Sequence, residues 1–184
     1  MIQAKVVSVN VGRPREVLWK GNRVSTSIFK SPVEGPIEVK RLNLRGDQQA
    51  DLQWAAFGEN LTTEGLREES LYIGDQLRIG STLLMVTQPR VPCYKLTIRF
   101  DRDDLIKRFI ASNASGFYFA VIEEGLVTAG DEIKIEHRDP AGISVADINH
   151  LYYEKTHSGE LLRRAVDLEA LPEGWRQHFR QRAG

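Results

Sequence analysis

Cys93 is the one cysteine of the chain, and the residues around it are polar, basic and conformationally stiff. It stands in Gln88-Pro89-Arg90-Val91-Pro92-Cys93-Tyr94-Lys95-Leu96, directly after an apolar stretch that ends at Val86-Thr87. Pro89 and Pro92 fix φ and leave the loop few conformations, which suits a side chain that has to be held in place. Arg90 and Lys95 flank the thiol, and nearby cations favour the thiolate, the nucleophilic and metal-binding form. The commoner fate of a lone thiol is burial as a small hydrophobe; the loop's polarity lowers the weight of that alternative. A single cysteine makes no intramolecular disulfide and no Cys-x-x-Cys cluster, and it points to a reducing compartment.

Two further clusters set glycine beside acidic or amide groups: Arg45-Gly46-Asp47-Gln48-Gln49-Ala50-Asp51 and Phe57-Gly58-Glu59-Asn60-Leu61. Each taken alone reads as a turn. Lys20, Arg23 and Lys30 lie among Ser25, Thr26 and Ser27, a composition able to hold an anion through charge and hydroxyl groups.

The elements that must position these residues read as short strands and turns up to about residue 137. Lys5 to Val9, Ile37 to Lys40, Tyr72 to Gly80, Leu83 to Thr87 and Gly116 to Ile122 carry the strand signals. The pair on either side of Gly80-Ser81 reads as two joined strands, and Glu123-Glu124-Gly125 as the turn of a last hairpin. Gly74-Asp75-Gln76-Leu77-Arg78-Ile79 is echoed by Gly130-Asp131-Glu132-Ile133-Lys134-Ile135, each a Gly-Asp turn feeding an amphipathic strand. Thr62 to Leu66 reads as a turn or one helical turn, and Asp101 to Ile110 as one amphipathic helix inserted between strands. Many short strands with Gly and Pro turns predict a mainly β sandwich or closed barrel.

After Asp139-Pro140-Ala141-Gly142 the pattern turns helical. Ser144-Val145-Ala146-Asp147 resembles a capping box, Ser158 can cap a second helix, and Pro172 can start a third with Trp175, His178 and Phe179 on one side. From Ser158 onward five arginines face four acidic residues, a solvated surface and not a phosphate footprint. The whole chain of 184 residues carries 25 basic and 25 acidic side chains, without the basic excess of a duplex-binding protein. Its 41% hydrophobic and 27% charged residues exclude disorder and coiled-coil rods. No apolar run approaches membrane-spanning length and the N-terminus lacks signal-peptide features, so the expected location is cytoplasmic.

The order Lys30-Ser31-Pro32-Val33, Gly46-Asp47-Gln48-Gln49-Ala50-Asp51, Phe57-Gly58-Glu59-Asn60-Leu61, Gly74-Asp75 and then the Cys93 loop resembles the MOSC domain, named for the molybdenum cofactor sulfurase C-terminus. The likeness covers about residues 1 to 137, and the helical tail resembles the three-helix extension of the bacterial stand-alone branch. It implies a MOSC-like β-barrel over 1–140 and a three-helix domain over 141–184. It also implies a molybdenum cofactor (molybdopterin) whose metal is held by Cys93, the catalytic position. Lys20, Ser27, Lys30, Arg45, Asp47, Phe57, Gly58, Glu59, Asn60, Gln88, Arg90, Tyr94 and Lys95 are the implied cofactor-binding residues. The implied activity is reduction of N-hydroxylated compounds, including the base analogue 6-hydroxylaminopurine. No Gly-x-Gly-x-x-Gly motif is present, so the electrons are expected from an external reductase. A non-catalytic sulfur carrier or cofactor-binding module using Cys93, and a plain anion-binding barrel, are the alternatives. One departure from the family pattern is that Asp51-Leu52-Gln53 runs straight into Trp54-Ala55-Ala56-Phe57, where a longer segment with His-Gly-Gly is usual.

Overall fold

The structure, a computed structural model, describes residues 3–40, 57–154 and 159–183. The β-branched run near the N-terminus forms β1 (Ala4–Val11), followed by β2 (Arg15–Trp19), β3 (Asn22–Thr26), β4 (Ser31–Pro32) and β5 (Ile37–Val39). Then come β6 (Leu61–Glu64), β7 (Gln76–Ile79), β8 (Thr82–Pro89), α1 (Lys95–Phe100), α2 (Leu105–Ser112), β9 (Phe117–Glu123), β10 (Gly125–Val127) and β11 (Glu132–His137). The chain ends in α3 (Val145–Tyr153), α4 (Gly159–Asp167) and α5 (Glu173–Ala183).

One antiparallel sheet in the order β4-β1-β11-β7-β8-β9, with β6 also on β1, forms a half-barrel, and the helices follow it. β1 can serve three neighbours because its register against β6 breaks between Val6 and Ser8. That bulge shifts the alternation, so Ser8, Val9 and Asn10 are all buried in succession. The β7–β8 hairpin turns at Gly80-Ser81 as expected. Gly80 takes φ +56°, and a Cβ there would lie 2.3 Å from the Leu126 carbonyl oxygen.

The Gly-Asp echo is a repeated corner with the same hydrogen bonds in both copies. Gly74 N–H donates to Val86 O (2.8 Å) and Val86 N–H to Asp75 O (2.9 Å); Gly130 N–H donates to Val6 O (2.8 Å) and Val6 N–H to Asp131 O (2.9 Å). In each, the aspartate carboxylate accepts the backbone N–H three residues earlier, from Tyr72 (2.9 Å) and from Thr128 (2.8 Å). Each corner therefore stitches the start of one strand to a valine on another.

Four local readings change. Thr62 to Leu66, expected as a turn or one helical turn, contributes its first three residues to β6 (Leu61–Glu64), because β1 supplies a partner that the local sequence does not reveal. Tyr72 to Asp75 is the corner just described, so β7 begins only at Gln76. The helix expected over 101–110 starts later, as α2 at Leu105, and an unforeseen helix α1 precedes it, capped at its C-terminus by Asp101 at φ 49°. Acidic side chains are unfavourable at a helix C-terminus and favourable at the next N-terminus, so Asp101, Asp103 and Asp104 divide the run. Finally, β10 pairs with β5 and not with β9. Ser81 draws it away, its N–H donating to Leu126 O (3.1 Å) and its Oγ accepting from Leu126 N–H (2.8 Å).

The tail helices start as the sequence suggests where they are described. Ser144 Oγ accepts from Asp147 N–H (3.0 Å), and Asp147 Oδ2 accepts from Ser144 N–H (2.9 Å), a capping box built on aspartate. Pro172 precedes α5, and its carbonyl accepts from Trp175 N–H (2.9 Å). The Tyr152 ring meets those of Trp175 (4.8 Å) and His178 (5.1 Å), while Phe179 is fully buried. Ser158 lies outside the described residues.

One apolar core runs through sheet and tail: Val6, Leu77 and Val86 share it with Ile143, Val145, Ile148, Leu151 and Phe179. A chain ending at residue 142 should leave Leu71, Ile73 and Val86 without their cover. It should bind the hydrophobic dye ANS and lose a cooperative thermal transition. The junction itself rests on Asp75, which is fully buried and accepts from Arg138 Nη1 (2.7 Å) and Asp139 N–H (3.0 Å) as well as from Tyr72. Asp75→Ala strands three donors and should cost about 2–4 kcal/mol in urea-unfolding equilibria.

Candidate functional site

Cys93 is exposed, as a working thiol requires and a packing cysteine does not. It lies between the end of β8 and the start of α1. Gln88 is in register with Tyr118 on β9, and Arg90 N–H donates to Gly116 O (3.0 Å), so the strand side of the loop is fixed. On the helix side Leu96 N–H donates to Cys93 O (2.9 Å) and Thr97 N–H to Tyr94 O (2.9 Å), which winds the chain into α1 at once. Lys95 and Leu96, read from sequence as loop, are therefore helical.

A second, smaller core lies under this loop: Ile28, Phe29, Leu96 and Phe109, with Val17, Phe100, Leu105 and Ile106 packed on it. It gathers most of the sequence motifs. Gly58 at φ +76° sits against Ile28, whose Cδ1 is 2.8 Å from where a Cβ would be. Phe57 packs on Phe100 (5.4 Å) and Phe109 (5.7 Å). The β2–β3 hairpin reaches the loop from the other side: the Trp19 ring lies 5.5 Å from that of Tyr94, and Lys95 Nζ donates to Ser25 O (3.5 Å). Lys20 at the hairpin tip pairs with Asp103 (3.1 Å) just after α1.

The remaining expected residues divide. Glu59 accepts from Phe57 N–H (3.0 Å) and Thr62 Oγ1 (3.0 Å), and Asn60 Nδ2 donates to Asn10 O (3.3 Å). Behind them Ser8 Oγ donates to Asn10 Oδ1 (2.7 Å), and Asn10 Nδ2 to Thr62 Oγ1 (3.1 Å). Glu59 thus closes its own turn, and Asn60 ties that turn to β1. Lys30 is buried (2% exposed) and Ser27 half-buried. Arg45 and Asp47, like the Gln53–Trp54 junction, lie outside the described residues.

Sequence reading missed the arginines of this region. Arg15 stacks over the Phe29 ring (3.6 Å), and buried Arg99 donates to Ile28 O and lies 5.4 Å from the same ring. The available signal was an arginine inside the apolar run Leu96-Thr97-Ile98-Arg99-Phe100. Arg102 grips Asp104 through Nε (2.9 Å) and Nη2 (2.7 Å), and this pairing holds the Asp104 carboxyl below its usual range, so the N-cap of α2 stays charged.

Two shallow concavities, about 590 Å³ beside β5 and β10 and about 390 Å³ beside Asp139 and Arg164, do not include the thiol loop. No group of three or more His, Cys, Asp or Glu side chains that could hold a metal occurs among the described residues. His150 Nε2 lies 3.0 Å from the Glu154 carboxylate, and Cys93 is the chain's one thiol.

The model of the MOSC domain matches residues 37–134, more than half of the chain. The chain belongs to the MOSC family. A YiiM-like, 3-alpha helix domain matches residues 143–182. YflK of Bacillus subtilis is 34% identical over 203 aligned positions, covering 95% of this chain and 92% of that protein. The crystal structure of YiiM from Geobacillus stearothermophilus superposes with a TM-score of 0.83 at 31% identity, covering 98% of this chain and all of that one. A protein of Gibberella moniliformis named reductase is 26% identical over 80% of this chain, which spans 32% of its length. The order of elements in this MOSC protein, half-barrel then helices, agrees with the stand-alone bacterial branch.

Gly58→Ala should force an unfavourable φ and a clash with Ile28 together. The expected loss is about 1–3 kcal/mol, read as a lower urea midpoint, with Tyr94 and Trp19 fluorescence changing before far-UV circular dichroism.

Proposed function

We propose that this MOSC protein reduces N-hydroxylated small molecules with a molybdenum cofactor, and that Cys93 is its metal-binding thiol. The observation that carries the reading is an exposed thiol set between a strand of the main sheet and a helix whose second residue, Leu96, is fully buried. Rigid elements on both sides hold a side chain better than a free loop does.

The donor set suits the group. A thiolate is an apt soft ligand for molybdenum, and the phosphate of a pterin cofactor calls for Lys, Arg and hydroxyl donors, which Lys20, Lys95, Arg90 and Ser27 provide on the surrounding elements. When bound, such a cofactor supplies the two-electron chemistry of N–O cleavage. This chain's own part is to present the thiol, to neutralise phosphate charge with its lysines and arginines, and to offer half-exposed Tyr94 as an apolar face beside Cys93. Reduction of a hydroxylamino group takes two electrons and two protons and yields the amine and water. The electrons are assigned to an external reductase; a fungal relative named reductase, three times as long as the matched part, supports that division of labour. The protein is placed in the cytoplasm by the same reading. No helix among the described residues is long and apolar enough to cross a membrane.

Cys93→Ser tests the assignment. Serine is close in size at an exposed position, so the melting temperature should stay within about 3 °C. Molybdenum content and turnover of 6-hydroxylaminopurine with an external electron donor should both be lost. Full metal content with full turnover in the variant would refute the role of Cys93. Bound cofactor in wild type without turnover of any N-hydroxylated compound would favour a binding module.

A further inference from the structure

Between α2 and β9 the chain passes through Asn113, Ala114, Ser115 and Gly116, and this strap is gripped from three sides. From the thiol loop, Arg90 N–H donates to Gly116 O (3.0 Å). From the segment before β7, the Glu68 carboxylate accepts Gly116 N–H (2.7 Å). From α3, Asn149, buried at 3% exposure, donates Nδ2 to Asn113 Oδ1 (2.5 Å). Glu68 is itself tied to α3, because its carbonyl accepts Ala146 N–H (3.1 Å) in the helix's first turn. Both routes from the helical tail therefore end on the strap, and the strap ends on Arg90.

Two features shape this connection. Asn113 (φ 53°), which caps the C-terminus of α2, and Gly116 (φ 69°) both take left-handed backbone, a conformation open to Asn and Gly, and so let the chain turn sharply through the strap. Arg90 lies between Pro89 and Pro92, three residues ahead of Cys93, so a displacement of its N–H is passed along a chain with few conformations to absorb it.

We propose that Glu68 and Asn149 are positioning residues, through which the C-terminal helices hold the 113–116 strap and, by way of it, the Cys93 loop. Neither residue is assigned a contact with substrate or cofactor. The catalytic consequence rests on the function proposed above; the mechanical one does not.

The test uses the full chain with Glu68→Ala, Glu68→Gln and Asn149→Ala, and reads amide hydrogen exchange residue by residue. In Glu68→Ala and Asn149→Ala the Gly116 and Arg90 amides should exchange about tenfold faster, the factor for one ordinary hydrogen bond, while amides in the centre of β7 and β8 keep the wild-type rate. Glu68→Gln, whose Oε1 still accepts, should return Gly116 toward wild type. In cofactor-loaded protein the Ala variants should lower kcat with KM unchanged. Wild-type exchange at Arg90 in both Ala variants would overturn the proposal, and so would equal acceleration of every sheet amide, which marks a general loss of stability. If Glu68→Ala does not fold, Asn149→Ala carries the same comparison. If wild type reduces no N-hydroxylated compound, the assigned activity fails while the exchange data still decide whether the brace exists.

Discussion

A carboxylate shut away from water is tolerated only where donors meet its charge, and that constraint at Asp75 organises the molecule. Its side chain collects donors from Tyr72, Arg138 and Asp139, while its carbonyl accepts from Val86 on β8. One residue thus joins the start of β7, the centre of β8 and the segment that leads into the helical tail. Gly74 makes room for it, since a Cβ there would fall 2.2 Å from the Asp139 carboxylate. The tail is consequently seated before its own apolar face is counted, and Tyr72 adds a bridge to Ser144 at the first turn of α3.

From that seat two cores of unequal strength follow. The larger is shared by sheet and helices and contains most fully buried side chains, among them Leu71, Ile73, Leu77, Ile148, Leu151 and Phe179. The smaller has four buried members and lies beneath the thiol loop, covered by the β2–β3 hairpin through the Trp19–Tyr94 contact and exposed ion pairs. Exposed pairs such as Lys20–Asp103 add little stability. The region around Cys93 is therefore expected to open at lower cost than the sheet, as ligand-binding regions commonly do.

The arrangement separates two tasks. Backbone pairing to Gly116 and the sealing of Leu96 hold the thiol's chain in place, whereas Cys93 and the half-exposed Tyr94 face solvent. Glu59 and Asn60, which look like ligand groups in sequence, bond within the protein: Glu59 accepts from Phe57 N–H and Thr62 Oγ1, and Asn60 donates to Asn10 O on β1. Their value to the site is indirect: they set the turn that places Phe57 and Gly58 on the small core.

Much was legible from local signals. The Gly80-Ser81 hairpin, the Ser144 capping box and the start of α5 after Pro172 depend on residues within a few positions of one another, so spacing alone determined them; that Cys93 is exposed was left open by its local sequence. The Gly-Asp echo was visible too, although its meaning as a stitched corner needed Val86 and Val6. What tertiary structure decided was every property that depends on a partner far along the chain. Leu61–Glu64 became a strand because β1 lay beside it, β10 left β9 because Ser81 and β5 held it, and Arg99 was buried because the Ile28 carbonyl and the Phe29 ring could receive it. A backbone N–H or a buried charge must find a partner, but nothing in its own neighbourhood of sequence says which one it will be.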